Sequence, residues 1–413
     1  MNITAQQFIK KYLLEIGLLL CFILPPIGVI MLLIIGIWEL HQTWRYGKFA
    51  RLTTGLFLFG CLFVSSIGAS IVMDDQSYFL VSSLILAYFG IYMKITKEGV
   101  KKTFTTYKWI MIFGGVYFYC LYPFQGRLIF PSLQNYIYGT VLVGDASLQD
   151  YKRLIGAAYN PNFSVTILLL GLAFLLAECL NNLKKGAYFL AGSQIVITWI
   201  FIHAILLTGS KAGFSTMVVI FILFLFRLKK GFTFILILIM SMNVNWLLQW
   251  MPRNEHILQS IETRMGIWKN SFYLWKEQSL FGMTSLGFKE EYSYHFNEKI
   301  PHAHNMVLAM FTEFGTLGGM AFLIVVIINV YKVLYLYFTE QKNKYLDAFL
   351  LSLPVILLTG VFDYVLFSPQ VTVMTIILLA FWDKYTARLS FWSPRLLLSL
   401  KWSYPFSHRK RDY

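Results

Sequence analysis

The sequence predicts an all-α integral membrane protein with about twelve transmembrane helices, and three observations lead to this prediction. The 413 residues are 57% hydrophobic and only 13% charged, whereas a soluble domain needs a larger charged fraction to cover its surface. Apolar runs of roughly 16 to 25 residues recur from residue 13 to residue 387, long enough to cross a hydrocarbon core of about 30 Å. The basic residues are concentrated in every second loop between these runs.

The distribution of charge also excludes one class of function. A net charge of +15 is common among nucleic-acid-binding proteins, but these basic residues lie in loops between apolar runs. The positive-inside rule therefore places the basic loops in the cytoplasm and the alternate loops outside it, and no nucleic-acid partner is expected. The basic segments are Arg45 to Arg51, Lys97 to Lys102, Lys184-Lys185, Arg227 to Lys230, Lys342 to Lys344 and Arg409 to Arg411.

The first apolar region, residues 13–38, has basic residues on both sides, so both of its ends are expected in the cytoplasm. Pro25-Pro26 lies midway and breaks a helix there. We therefore predict two short passes, 13–24 and 27–38, or a re-entrant hairpin. The alternative is a single kinked helix, which would give eleven spans and an external N-terminus.

Ten further spans follow in order, separated by loops that are rich in charged residues, Gly or Pro. They are 52–73, 76–94, 107–124, 162–182, 187–207, 212–227, 232–249, 304–336, 345–366 and 371–387. The predicted parts are 1–249, with about nine spans and the extracytoplasmic loop 125–161; the extracytoplasmic functional loop 250–303; the C-terminal helices of 304–390; and a basic cytoplasmic tail, 391–413. We expect the tail to lie on the anionic inner leaflet.

The long loop 250–303 contains a predicted amphipathic helix, 255–277, which lies at the membrane interface and carries Arg264. Arg264 either binds a substrate or simply contacts lipid phosphate. The apolar residues at helical spacing are Ile257, Ile261, Ile267, Trp268, Phe272 and Trp275.

His302 and His304 mark the point where this loop re-enters the membrane, next to Asn305 at the start of a predicted helix. A histidine can accept a proton from a hydroxyl group near neutral pH, so His304 is a candidate general base. Metal binding is the competing interpretation. It lacks a third ligand nearby, since His295 and Glu298 are the only candidates, and we therefore expect no metal and no other cofactor.

Two further cations are predicted on the same side of the membrane as Arg264. Lys211 follows Thr208-Gly209-Ser210 at the outer end of a span, and Arg153 closes the 125–161 loop. Each is either a phosphate-binding group or an interfacial anchor. Asn162 belongs to an Asn-Pro-Asn turn that caps the next span, and Glu313 lies two to three helical turns after His304.

Positive charge beside a general-base candidate suits an anionic substrate carried by a lipid, most simply a polyprenyl diphosphate. The chain has no Asp-x-Asp motif or carboxylate cluster for Mg²⁺, so side-chain cations must balance the phosphate charge. Nucleotides are not supplied outside the cytoplasm, which disfavours a nucleotide-sugar donor.

At these residues the chain resembles the superfamily of O-antigen ligases and O-antigen polymerases, which are glycan transferases of the bacterial cytoplasmic membrane. The resemblance covers residues 150 to 340 and is carried by the order of several short motifs. They are Arg153…Gly156…Asn160-Pro161-Asn162, Thr208-Gly209-Ser210-Lys211-Ala212-Gly213, Arg264…Trp268, Ser279-Leu280-Phe281-Gly282, and His304-Asn305…Glu313-Phe314-Gly315…Gly318.

The resemblance implies a GT-C-like fold and metal-independent, inverting transfer of a glycan from undecaprenyl diphosphate to a glycan or lipid acceptor. It implies that two arginines and one histidine are essential: Arg264 matches one arginine and His304 the histidine, whereas Lys211 stands at the other arginine position. Arg153, Asn162, His302, Asn305 and Glu313 are the expected substrate-binding residues.

Two alternatives remain open at this point. Polymerase and ligase share these motifs, and we favour a polymerase of surface polysaccharide. A transporter or flippase of lipid-linked glycans also has about twelve spans, but its polar residues should recur near mid-membrane in two related halves. The sequence shows no such symmetry, and its polar signals cluster on one face of the membrane.

Overall fold

The computed structural model describes residues 5–46, 53–97, 100–125, 136–140, 153–243, 248–339, 345–387, 389 and 391. These residues are helical, without a β-strand among them. The helices are α1 Ala5–Ile23, α2 Pro25–Tyr46, α3 Thr54–Val72, α4 Phe79–Lys97, α5 Val100–Leu121, α6 Pro161–Lys184, α7 Tyr188–Leu207, α8 Lys211–Leu228, α9 Lys230–Met242, α10 Ile257–Glu277, α11 Thr284–Phe296, α12 Met306–Phe338, α13 Leu346–Phe362 and α14 Pro369–Thr386.

Every predicted span overlaps one of these helices, although α9 covers the span predicted over 232–249 only to Met242, and seven of the described segments are long and apolar enough to cross a membrane. They include α2, α3, α6, α7, α8 and α12, and the stretch Gln76–Lys97 that contains α4. The protein is therefore a multi-pass membrane protein, and its count of twelve spans stays a prediction. The predicted tail lies outside the described residues from residue 392 onward.

Residues 13–38 form two helices that pack side by side. A Cβ atom added to Gly17 of α1 would lie 2.7 Å from Cδ2 of Leu32 in α2. These two residues are fifteen positions apart, which would separate them by about 22 Å along one continuous helix. The contact agrees with the predicted hairpin and contradicts the single kinked helix.

Helix α6 occupies the centre of the bundle. In its most apolar stretch 94% of the residues are buried, against 28 to 56% in the other candidate spans. Ion pairs join it to its neighbours: the buried Lys108 of α5 pairs with Glu178, and the half-exposed Lys184 reaches Oδ2 of the buried Asp347 on α13 at 2.5 Å. Because an unpaired charge is costly in this environment, these pairs help to determine how the helices associate.

Helix α12 is interrupted at Gly315, where φ is 60° and ψ is −167°. The chain between α10 and α11 fills the interruption. The amide of Thr316 donates to the carbonyl of Ser279 at 2.7 Å, and the amide of Met283 donates to the carbonyl of Thr312 at 3.0 Å. The predicted single span 304–336 is thus a broken helix, and the break attaches the long loop to the bundle.

The predicted amphipathic helix exists as α10, but its apolar residues divide between two faces. Ile267 and Leu274 are buried against the bundle. Ile261 and Phe272 are exposed and form an outward apolar stripe with Met265, which is suited to a membrane interface. The apolar residues of this helix thus serve two faces, one packed against the bundle and one directed outward.

We predict that Gly315→Ala destabilises the protein by about 2 kcal/mol or more, since the new Cβ would sit at positive φ and 2.2 Å from the carbonyl oxygen of Leu280. Gly266→Ala is the control, because nothing lies within 4 Å of its Cβ position and alanine favours a helix. Thermal unfolding of purified protein in detergent should show a lower midpoint for the first variant only. Equal midpoints would contradict a structural role for the break.

Candidate functional site

The carboxylate of Asp363, at the C-terminal end of α13, organises the site. Its Oδ1 accepts hydrogen bonds from Nδ1 of His304 at 3.0 Å and from the amide of Tyr364 at 2.8 Å. Its Oδ2 accepts a hydrogen bond from the side-chain amide of Asn162 at 2.6 Å. Asp363 is only 4% exposed, so these donors replace the water that an ionised carboxylate would otherwise bind.

His304 lies in the loop before α12 with φ at +48°, a conformation that few residues other than glycine adopt. The indole Nε1 of Trp268 on α10 donates to its carbonyl oxygen at 3.3 Å, and its own amide donates to Nδ1 of His302. These contacts hold the backbone in place. The side chain remains 26% exposed, so that a ligand can reach it.

The hydrogen bonds also assign the protonation of this cluster. Asp363 is surrounded by three hydrogen-bond donors, from Asn162, His304 and the Tyr364 amide, which stabilise the ionised form of its carboxyl group. Since the carboxylate is ionised, His304 donates Nδ1–H to it, which leaves Nε2 to accept a proton. Burial lowers the pKa of His302 to about 4, against the attraction of Asp363, so His302 is neutral near pH 7.

Arg153 and Asn162 are brought to the site, where they act on protein groups. Nη2 of Arg153 donates to Oδ1 of Asn162 at 3.2 Å, and Nε of Arg153 donates to the carbonyl of Thr208 at 2.6 Å. Asn160, not Asn162, caps α6. Asn162 instead bridges Arg153 and Asp363, so both predicted residues hold the carboxylate in position.

The predicted cations Lys211 and Arg264 lie near each other, and Arg264 also lies near Asp363. Nζ of Lys211, at the start of α8, donates to Oγ of Ser260 on α10 at 2.9 Å. Burial lowers the pKa of Arg264, the charge of Asp363 opposes this, and Arg253 lowers it further. The charges of Arg253 and Arg264 also act on Lys211, which places the three cations in one group.

Arg253 and Asp363 are the site residues that the sequence analysis missed. Arg253 stands just before α10 with φ at +57°, and its Cδ would lie 3.4 Å from a Cβ added to Gly209. Arg153 approaches the same glycine, at 3.2 Å for Nε. Charged residues on the predicted outer side were the available signal, but their convergence depends on tertiary contacts.

Asn305 and Glu313 lie at the two ends of the first segment of α12. Oδ1 of Asn305 caps the helix by accepting from the amide of Leu308 at 3.0 Å, and its Nδ2 donates to the carbonyl of Val361 at 2.8 Å. Oε2 of the buried Glu313 accepts from the hydroxyl of Tyr364 at 3.1 Å. Asn305 therefore has a positioning role, and Glu313 lies deeper than His304.

The expectation that the histidines lack a third metal ligand was wrong. Asp363 joins His302 and His304, with one ligand atom from each within 4.8 Å of the others. Within the part of the chain that the structure describes, these three residues are the group that could hold a metal ion. In this structure Nδ1 of His302 accepts an amide hydrogen, and Nδ1 of His304 is hydrogen-bonded to Asp363. The Nδ1 atoms of both histidines are therefore engaged in hydrogen bonds in this structure.

Comparison with known proteins finds a family match in the middle of the chain. Residues 196–323 match the family model of O-antigen ligase (Wzy_C), which confirms the family predicted from the sequence. The matched segment includes Lys211, Arg253, Arg264 and His304 but ends before Asp363. No curated protein matches the chain. The match indicates a membrane glycan ligase or polymerase that uses lipid-linked glycans.

We predict that His302 makes the protein acid-sensitive. Its pKa is lower in the folded protein than the ordinary value of 6.5, so the unfolded chain binds more protons between pH 6.5 and about 4. Stability should fall by about 3 kcal/mol across that interval as the pH decreases.

His302→Asn should lose this part of the acid sensitivity, whereas His41→Asn, which changes an exposed histidine on α2, should retain it. The measurement is the unfolding midpoint in detergent at pH 7 and pH 4.5. If His302→Asn and the unaltered protein lose the same number of degrees, the buried histidine is not the cause.

Proposed function

We propose that this protein is a metal-independent, inverting glycosyltransferase that acts on undecaprenyl-diphosphate-linked glycan at the outer face of the bacterial cytoplasmic membrane. The observation that supports this proposal most directly is the pairing of a His304–Asp363 dyad with three cations. An oriented base beside concentrated positive charge suits the displacement of a diphosphate by a hydroxyl group.

His304 is the general base in this mechanism. Its Nδ1–H is donated to Asp363, so Nε2 accepts the proton of the acceptor hydroxyl. The acceptor oxygen attacks the anomeric carbon from the face opposite the diphosphate. The new C–O bond forms as the bond to the diphosphate oxygen breaks, which inverts the configuration. The ionised Asp363 stabilises the imidazolium that results.

Arg264, Lys211 and Arg253 bind the diphosphate and stabilise the charge that develops on it as it leaves. Arginine can present two parallel N–H groups to phosphate, while lysine acts as a point charge. Arg153 contributes indirectly, because its guanidinium donates to the carbonyl of Thr208 and to the side chain of Asn162. With these cations in place, the reaction requires no metal ion to neutralise the leaving group.

The acceptor distinguishes two versions of this function. A polymerase transfers the growing glycan to another lipid-linked repeat, and a ligase transfers it to a different lipid or core. We favour the polymerase. Deletion of the gene followed by gel analysis of surface glycans separates them: loss of long chains with single repeats retained indicates a polymerase, and accumulation of lipid-linked polymer indicates a ligase.

We predict that His304→Ala and Asp363→Asn each lower glycan transfer by about 100-fold or more, because the first removes the base and the second favours the wrong tautomer. The assay uses membrane vesicles that carry the lipid-linked glycan, with protein levels matched by immunoblot. EDTA should leave the unaltered protein fully active. Loss of activity on chelation, restored by a divalent ion, would assign the three residues to a metal site instead.

We predict that Arg264→Ala lowers transfer by about 10- to 100-fold, since a charged hydrogen bond to the leaving diphosphate contributes about 1.5–3 kcal/mol. Lys269→Ala removes an exposed cation from the same helix and should change transfer less than about twofold. Chain-length distributions of the surface glycan provide the measurement in cells. Similar chain lengths in both variants would remove Arg264 from the proposed mechanism.

A further inference from the structure

A large cavity lies beside Tyr364, which lines it, whereas His304 and Asp363 do not. It has a volume of about 1340 Å³ and is enclosed by α3, α4, α11, α12 and α14. Pockets for drug-sized molecules are typically about 300–1,000 Å³, so this one has room for a larger ligand. The three cations of the proposed diphosphate site do not line it.

The cavity extends far along the helices. On α14 its lining runs from Pro369 to Asp383, fourteen residues apart and hence separated by about 21 Å. One leaflet of the hydrocarbon core is only about 15 Å deep. The wall is mainly aliphatic and aromatic, with Leu58, Leu84 and Ile376 among the lining residues. A ligand that fills the cavity must therefore carry a hydrocarbon chain longer than one leaflet.

A buried carboxyl group lies in the wall of this apolar cavity. Glu313 is 1% exposed, and its Oε1 has no hydrogen-bond partner among the described residues. Its Oε2 accepts from Tyr364, whose amide in turn donates to Asp363. A carboxyl oxygen left unsatisfied at a membrane depth is costly, and a hydroxyl group of a bound ligand would satisfy it.

The outer end of the cavity is polar and holds charged groups of both signs. Lys289 and Lys299 line it together with Glu290, and both lysines are exposed. Ser285 and Ser293 add hydroxyl groups at the same end. A phosphate group there would be attracted by the two lysines, while the attached chain extends along the apolar wall.

We propose that this cavity binds the acceptor, in the form of a glycan carried by a polyprenyl phosphate or diphosphate. The inference rests on the proposed transferase function and assigns it to chain elongation. The polyprenyl chain occupies the apolar wall, Lys289 and Lys299 contact the phosphate, and Glu313 binds a sugar hydroxyl. Donor and acceptor lipids thus approach the Asp363–Tyr364 pair from opposite sides.

The length of the cavity favours a polyprenyl carrier over a glycolipid with several acyl chains. Acyl chains of an outer-leaflet lipid end near the middle of the membrane, about 15 Å from the surface. The cavity continues beyond that depth to Asp383, whose Oδ2 accepts hydrogen bonds from Tyr92 at 2.8 Å and from Thr54 at 3.0 Å. A polyprenyl chain is long enough to reach this polar end.

The test is photo-crosslinking of the purified full-length protein in phosphatidylglycerol-containing vesicles. The probe is undecaprenyl phosphate with a diazirine near the end of its chain, and labelled peptides are located by mass spectrometry. Leu58→Trp fills the cavity, whereas Phe57→Trp changes the adjacent, outward-facing residue of α3. We expect label on the peptides of α3, α4 and α14, reduced roughly fivefold by Leu58→Trp and unchanged by Phe57→Trp.

Competition identifies the occupant. Excess unlabelled undecaprenyl phosphate should suppress the label, and a multi-acyl glycolipid should not. Suppression by the glycolipid alone, or equal labelling of the two tryptophan variants, would overturn the proposal. Undecaprenyl phosphate bearing one hexose should compete more strongly than the bare lipid, and Glu313→Gln should remove roughly a tenfold advantage. Retention of that advantage in Glu313→Gln would remove Glu313 from the site.

Failure of this proposal can be distinguished from failure of the transferase function. Crosslinking requires no turnover, so His304→Ala and Arg264→Ala should label as strongly as the unaltered protein. If labelling is specific but these variants form normal glycan, the transfer mechanism is wrong and the lipid site stands. If labelling is non-specific while both variants lose glycan, the mechanism stands and the acceptor is bound elsewhere.

Discussion

The buried carboxylate of Asp363 is the constraint on which the geometry of the site depends. An ionised carboxyl group removed from water requires several donors, and it finds them on a loop histidine, on Asn162 and on the backbone of Tyr364. Asn162 is 201 residues distant in sequence, so one charge joins the start of α6 to the end of α13. The same charge determines which nitrogen of His304 carries hydrogen. The Asp363 carboxylate therefore both joins the helices and orients His304.

The break in α12 at Gly315 is the second feature that fixes the geometry of the site. It ends a short helical segment that begins after the Asn305 cap, so His304 precedes the segment and Glu313 lies near its end. Because the break also accepts the chain from Ser279 onward, movement of the long loop would move this segment as well. The recurring short motifs of the sequence are explained by this joint. They connect the long loop that contains Arg264 to the helical segment that follows His304.

The helices could be predicted from sequence because a transmembrane helix is defined by the length and hydrophobicity of one continuous segment. Lys211, Arg264 and His304 could also be predicted, since charged residues near a membrane need a reason. Asp363 could not, because a carboxylate at the end of an apolar run has the same appearance whether it orients a histidine or only ends a helix. Arg253 was missed for a similar reason: its approach to Gly209 depends on how α10 enters the bundle.

Lysine at position 211 changes how the positive charge is presented without leaving the site short of guanidinium groups. The family resemblance implies two arginines, and Lys211 alone would supply charge without a planar pair of donors. In this structure Arg253 acts electrostatically on both Lys211 and Arg264, so a second guanidinium lies in the same group. Mutual repulsion among three cations costs free energy in the absence of a ligand, and Asp363 offsets only part of it. In the proposed mechanism a bound diphosphate offsets this repulsion, so the clustering of cations would contribute to affinity for that group.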